Sequence, residues 1–298
     1  RKFIQAAMAT PFVINARTAV AATATSTATS RVYFQDTENG IREVTYDNGN
    51  WTVSNDVLFS AKRSTPLAVI SWDEGKQVRI YCVSSEGLLQ EWCGVNGHWG
   101  PGYLTDLGVR VASNTSIAAT NWDGTSIRVY CQEESSNAIQ EYCVGHPWKR
   151  GATLPIADSG SNLAALSFKD GGKVHLRVYY QAPDLSLREH CYYGGWSEGG
   201  FSPGVAIKSS AIAATSWGEA VDGVQLRVFW QDNHGLLRGY KWSRGWESAG
   251  SLNPMPVGTQ ISATNWDNGS SVRVYYQAND GTISEEVTHS LTTTIIQV

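Results

Sequence analysis

Leu176-Arg177-Val178-Tyr179-Tyr180-Gln181 is a short apolar, β-prone run with one charged residue, Arg177, inside it. Twelve positions after Arg177, Glu189 stands in Leu187-Arg188-Glu189-His190-Cys191. The pair is one copy of a pattern that fills the chain. Arg31, Arg79, Arg128, Arg177, Arg227 and Arg273 each open a near-identical run, from Arg31-Val-Tyr-Phe-Gln35 to Arg273-Val-Tyr-Tyr-Gln277, spaced 48, 49, 49, 50 and 46 residues apart. A period of that size marks a repeat architecture.

Each copy carries four strand signals. The first is small and apolar, as in Leu67-Ala-Val-Ile-Ser-Trp72 or Ile212-Ala-Ala-Thr-Ser-Trp217, and its central alanines suit a crowded position near an axis. The second is the Arg run. The third is the Glu run: Ile41-Arg-Glu43, Leu89-Gln-Glu91, Ile139-Gln-Glu141, Leu187-Arg-Glu189, Leu237-Arg-Gly239 and Ile283-Ser-Glu285. The fourth follows a Gly-rich turn and starts at Trp51, Trp99, Trp148, Trp196 or Trp246. Gly40, Gly87, Gly235 and Gly281 fall between second and third strands, as hairpin chemistry expects. Four short antiparallel strands per ~48 residues make a propeller blade. The fold class is therefore all-β, one six-bladed β-propeller over 1–298, with blades centred on the six arginines. Helix-period segments are absent. Closure removes the free edges that an open stack would expose, and the N- and C-terminal segments are expected to share a blade. Residues 1–11 read as a tag or a flexible N-terminus.

Composition excludes several classes. Lys+Arg 23 against Asp+Glu 27 gives a net charge of −4, the wrong sign for a nucleic-acid binder. No apolar run reaches the ~18 residues of a membrane span, and the N-terminal stretch is too broken for a secretory signal. Twelve Trp and thirteen Tyr exceed the needs of a core, which points to exposed stacking surfaces. The five cysteines recur at cognate positions. Strand parity puts Cys82 and Cys93 on opposite faces, so free buried thiols are expected.

Repeated residues in a solenoid or propeller are mostly apolar, because repetition serves packing. Here an Arg recurs in all six copies and a Glu in five. As mere cross-strand ion pairs these would contribute only ~0.2–1 kcal/mol each. As a repeated site, Arg donates, Glu accepts, and a nearby Trp offers an apolar face with one N–H. That trio suits a neutral polyol with one apolar side. No metal-ligand spacing is present. Glycoside hydrolysis needs two carboxylates, whereas each copy offers one, which the adjacent Arg is expected to keep ionised. The six His share no repeat position. No catalytic residue, cofactor or metal is expected.

Arg31-Val-Tyr-Phe-Gln-Asp36 with Gly40-Ile-Arg-Glu43, and Arg177-Val-Tyr-Tyr-Gln181 with Leu187-Arg-Glu-His-Cys191, resemble the fungal fucose-binding lectins, six-bladed propellers. The resemblance runs over residues 15 to 290 and implies L-fucose binding in clefts between neighbouring blades. One blade would supply Arg and Glu. The next would supply a Trp, and an aromatic four or five residues earlier for the sugar's apolar side. On that pattern Arg128, Glu141, Tyr192 and Trp196 form a full set, as do Arg177, Glu189, Trp242 and Trp246. Arg273 and Glu285 meet Tyr46 and Trp51 if the ring closes. Arg31 and Glu43 have Trp99, but Gly94 replaces the packing aromatic. Arg79 and Glu91 have Trp148, but Val144 replaces it; such losses are expected to weaken a site by ~1–3 kcal/mol. Arg227 faces Gly239 and no Trp, so its cleft is expected to be silent for fucose.

The partners implied are fucosylated oligosaccharides and glycoproteins, host tissue included, engaged through many weak sites, with no nucleic acid and no membrane insertion. A homodimer is an assembly the resemblance allows. The expected location is secreted or at the cell surface, with a cytoplasmic pool the alternative. The rival readings are a lectin for another sugar, a sialidase-like enzyme and a Trp-Asp interaction propeller. Asn121-Trp-Asp-Gly124 does not match a sialidase box, and Trp72-Asp73, Trp122-Asp123 and Trp266-Asp267 end the first strand of a blade instead of the third. The Trp72, Trp122, Trp217 and Trp266 series, with Phe168, is read as inter-blade packing.

Overall fold

The computed structural model describes residues 2–4, 12–218, 223–288 and 292–296, without the side chains of 2–4 and 292–295. It is a ring of six antiparallel sheets. Blade I comprises Ala21–Ser26, Thr29–Gln35, Gly40–Asp47 and Asn50–Val53. Blade II comprises Ala68–Trp72, Gln77–Val83, Leu89–Val95 and His98–Pro101. Blade III comprises Ile117–Trp122, Ser126–Gln132, Ala138–Cys143 and Lys149–Ile156. Blade IV comprises Ala164–Asp170, Lys173–Gln181, Leu187–Tyr192 and Trp196–Glu198. Blade V comprises Ile212–Trp217, Gln225–Gln231, Leu236–Trp242 and Trp246–Pro254. Blade VI comprises Ile261–Trp266, Ser271–Gln277, Ile283–Val287 and Thr292–Ile296.

Each first strand touches the first strands of both neighbours, including blade VI against blade I. Their small residues permit that approach, and hydroxyls stitch it: Thr23 Oγ1 to Ser71 Oγ at 2.8 Å, Thr120 Oγ1 to Ser167 Oγ at 2.9 Å, and Ala22 N to Ser262 Oγ at 2.8 Å. A cavity of about 610 Å³ on the ring axis is lined from all six blades, by Val20, Pro66, Ser116, Asn162, Ser209 and Gln260 among others.

The ends share a blade as expected, in a particular way. All four antiparallel strands of blade VI come from the C-terminal segment, and Lys2–Ile4 adds to Thr292–Ile296 as a parallel fifth strand. Residue 1 and residues 5–11, the rest of the segment read as a tag or flexible, lie outside the described residues. Among the described residues one 3-10 turn, Tyr103–Leu107, is the sole named helix, and no helix is long and apolar enough to cross a membrane.

The glutamine that ends the Arg run is a fastener. Gln181 Nε2 reaches the carbonyls of Leu185, Ala206 and Ile207, while its Oε1 accepts from Ser209 N at 2.9 Å. Gln35, Gln132 and Gln231 likewise tie their own hairpin to the segment leading into the next blade, and Gln277 bonds Asn15 O across the closure. All five cysteines are free, as parity required: Cys82 pairs across from Gln90 and Cys93 from Arg79. Burial pushes the Cys93 thiol up to about 11 and Cys82 and Cys191 to about 12.

Hairpin chemistry departs from expectation at two places. Gly87, Gly235 and Gly281 hold left-handed φ as expected, but in blade I Asn39 takes that position at φ 69° while Gly40 opens the third strand, and blade IV puts Leu185 there, at φ 64°. A branched side chain is strained in that region. Leu185→Gly should therefore raise stability by about 0.5–1 kcal/mol in urea unfolding. Gln181→Ala strands three carbonyls and should lower it by about 1–3 kcal/mol, read in the same assay.

Candidate functional site

Strand pairing builds the site. In five blades a tyrosine two residues after the Arg lies directly across from the Glu: Tyr33–Glu43, Tyr81–Glu91, Tyr130–Glu141, Tyr179–Glu189 and Tyr275–Glu285. Because residues two apart share a face, Arg, Tyr and Glu all look into the same inter-blade cleft. The five tyrosines are fully buried. From the next blade, one Trp edge stands against each: Trp99 on Tyr33, Trp148 on Tyr81, Trp196 on Tyr130, Trp246 on Tyr179 and Trp51 on Tyr275, with ring centroids 6.1–6.4 Å apart. The pairing across blades expected from sequence is thus the pairing in space, ring closure included.

Cleft IV/V is the most complete. Glu189 is 3% exposed, and its Oε1 accepts from Phe201 N at 2.9 Å and from Trp246 Nε1 at 3.0 Å. Its Oε2 lies 4.0 Å from Arg177 Nε and makes no hydrogen bond among the described residues. Arg177 Nη1 donates to Leu176 O at 3.0 Å, and the guanidinium lies over Phe168. Trp242 and Trp246 line the opposite wall, with ring centroids 5.7 Å apart. Guanidinium and carboxylate are anchored separately, so that donors stand at an aromatic wall beside an acceptor, Glu189 Oε2, that is unpartnered among the described residues and buried just behind it. In cleft III/IV, Glu141 accepts from Tyr130 Oη at 3.1 Å and Ala152 N at 3.0 Å, with Arg128 Nε 3.5 Å away; Tyr192 and Trp196 form the wall.

The other clefts depart from the pattern. In cleft VI/I, Arg273 Nη1 bonds Glu285 Oε1 at 2.7 Å, and Tyr46 lies over the guanidinium while stacking on Trp266. The four expected residues meet, and Tyr46 covers the Arg. In cleft I/II, Arg31 stands 3.8 Å from Glu43, and the Trp99 ring itself lies against Gly94, where a Cβ would stand 2.9 Å from it. In cleft II/III, Arg79 bonds Gln77 and Val78 O and has no carboxylate within 4.0 Å among the described residues. Trp148, expected to present its face to a ligand, is only 4% exposed and packs into the core with Val144.

Charge in the clefts is set by burial as well as by the neighbouring Arg, which was expected to keep each carboxylate ionised. Burial raises the Glu91 and Glu285 carboxyls above the ordinary range, against the pull of Leu104 N–H on the first and Arg273 on the second. Desolvation of the charged form outweighs these favourable partners because the two carboxyls lie behind the cleft surface.

Three sets of residues were missed from sequence. The tyrosines were one, although Tyr occurs in the five copies that keep Glu and gives way to Phe229 beside Gly239. The glycines Gly102, Gly151 and Gly199 were another: a Cβ on any of them would overlap the carboxylate of Glu91, Glu141 or Glu189. Their signal was a glycine three residues after Trp99, Trp148 and Trp196. The third was the first-strand aromatic. Trp72 and Trp217 do pack beside Gly124 and Gly269 of the next blade, but Trp72, Trp122, Phe168, Trp217 and Trp266 each also lie under the Arg of their own blade at 4.7–5.2 Å. Such cation–π contact holds the guanidinium in place.

Among the described residues no cluster of three or more His, Cys, Asp or Glu could hold a metal. The family model for fungal fucose-specific lectin matches residues 13–291. The Fucose-specific lectin of Aleuria aurantia is 34% identical over 291 residues, covering 91% of each chain, and that of Aspergillus fumigatus is 31% identical, covering 83% of each. A structure of an Aleuria aurantia lectin mutant in complex with alpha-methyl-L-fucoside superposes with a TM-score of 0.83 at 33% identity over 93% of both chains. Another structure of that lectin is described as a six-bladed beta-propeller. With the repeat, the ring and the match over nearly the whole length in agreement, the chain belongs to the fungal fucose-specific lectin family.

Proposed function

We propose that this chain is a multivalent, non-catalytic lectin that takes L-fucose on fucosylated glycans into the five clefts that pair Arg and Glu with a Trp from the next blade. The observation that carries the reading is cleft IV/V. There a guanidinium and a carboxylate stand 4.0 Å apart, each anchored elsewhere, beside Trp242 and Trp246. Sugar hydroxyls donate to Glu189 Oε2 and accept from Arg177, and the C–H face and methyl pack on the indoles. Related lectins hold alpha-methyl-L-fucoside and Fucalpha1-6GlcNAc, which supports the choice of sugar. One carboxylate per cleft fits binding and not glycoside cleavage. Weak sites in a ring act together: linkage raises apparent affinity for a multivalent surface by ~10²–10⁴. Secretion or surface display fits such partners.

Calorimetric titration with methyl α-L-fucoside should saturate at three to five sites per chain. Glu189→Gln and Trp246→Ala should each remove one site and leave the others. Absence of heat at millimolar fucoside would overturn the reading.

Affinity should also fall unevenly with pH. The Glu91 and Glu285 carboxyls are raised by burial, so as pH drops they take up a proton before the ordinary carboxylate range is reached and lose acceptor strength. Repeating the titration at pH 7 and pH 5 should show up to two sites weakening first. The Glu91→Gln/Glu285→Gln double variant should lack that step.

A further inference from the structure

Blade V breaks the repeat at three positions that touch one another. Gly239 replaces the Glu, Phe229 replaces the Tyr, and Ala249 stands beside them where blades II to IV carry the glycine that makes room for a carboxylate. A Cβ at Gly239 would meet the Phe229 ring at 3.3 Å and the Ala249 Cβ at 3.4 Å, so the space of the lost carboxylate is refilled with apolar atoms. The arginine is nevertheless kept. Arg227 Nη1 donates to Leu226 O at 2.9 Å, and its guanidinium lies over Trp217 at 4.8 Å, the posture of Arg79, Arg128 and Arg177. No carboxylate stands within salt-bridge distance of it among the described residues. Burial lowers its pKa against the pull of Glu247, which acts on it from beyond contact distance.

A second cation joins it. Lys241 lies directly across from Arg227, at the position that carries Thr45, Cys93, Cys143, Cys191 or Val287 in the other blades. Lys241 Nζ contacts Glu247 at 3.1 Å. Arg and Glu cancel in the other five clefts. Here, among the described residues, Arg227 and Lys241 against Glu247 leave one positive charge.

We propose that the cleft between blades V and VI takes the anionic substituent of a glycan, a carboxylate or a sulfate ester, with Arg227 as the donor and Lys241 as the supporting cation. A guanidinium presents parallel N–H groups that match both oxyanions. Fucose finds no acceptor for its hydroxyls at Gly239, whereas an anion needs none. The chain then reads two features of one surface, neutral deoxy sugar in some clefts and acidic sugar in another. The proposal rests on the lectin reading only in taking the cleft as sugar-facing.

The test titrates wild-type chain and the Arg227→Ala and Arg227→Lys variants with four probes: galactose 3-sulfate, the methyl glycoside of N-acetylneuraminic acid, neutral methyl galactoside and methyl α-L-fucoside. Binding of one acidic probe per chain is expected, weakened by salt, at least tenfold weaker in Arg227→Ala and intermediate in Arg227→Lys. The fucoside stoichiometry should stay unchanged in both variants, which also reports that they fold. Preference for one acidic probe identifies the anion. No binding of either acidic probe, equal binding of methyl galactoside, or acidic binding unchanged in Arg227→Ala would overturn the proposal. Acidic binding with no fucoside heat would overturn the fucose reading and leave this one standing.

Discussion

A tyrosine facing a glutamate across one strand pair is the constraint on which the clefts depend. It recurs in five blades and sets everything around it. The register puts Arg on the same face two residues earlier. The tyrosine ring is buried and meets the edge of a Trp from the next blade. In blades II to IV the carboxylate then has a glycine behind it and a backbone N–H beside it, from Leu104, Ala152 or Phe201. Remove the carboxylate, as blade V does, and the hydroxyl and the glycine go with it.

The Arg is held by different forces from those that hold the Glu. An aromatic ring of its own blade lies under five of the six, all but Arg31, and four of the six donate to the carbonyl of the residue before them. This separation explains why the two charges, though neighbours, mostly do not bond each other. Direct pairs at 3.5–4.0 Å in clefts I/II, III/IV and IV/V leave hydrogen-bonding capacity for a ligand. Cleft VI/I shows the alternative, in which Arg273 and Glu285 close on each other at 2.7 Å beneath Tyr46. A ligand there must displace a ring and exchange an ion pair, so equal sequence motifs do not make equal sites.

The blades are fastened by polar groups as much as by the six apolar clusters between them. Glutamine amides reach from one hairpin to the segment entering the next blade, and hydroxyls bridge the inner strands around the axis. These groups sit where backbone carbonyls would otherwise be buried without partners, a cost that recurs at every blade junction. The invariance of the Gln within the repeat, broken only by Val83, follows from that need.

The sequence by itself determined the blade number, the strand order, the faces of the strands and the blade that lacks its carboxylate. Those features are local or periodic: a 46–50-residue spacing and a two-residue alternation can be read along the chain. The tyrosines and glycines of the site were legible too, since the Tyr accompanies the Glu in all five copies and the Gly in three of them. Only the tertiary structure decided how the clefts differ: Trp148 is buried beside Val144, Trp99 occupies the space beside Gly94, Tyr46 covers Arg273, and burial raises Glu91 and Glu285. Each depends on how two sheets from different repeats approach each other, and that distance is set by the packing of the whole ring.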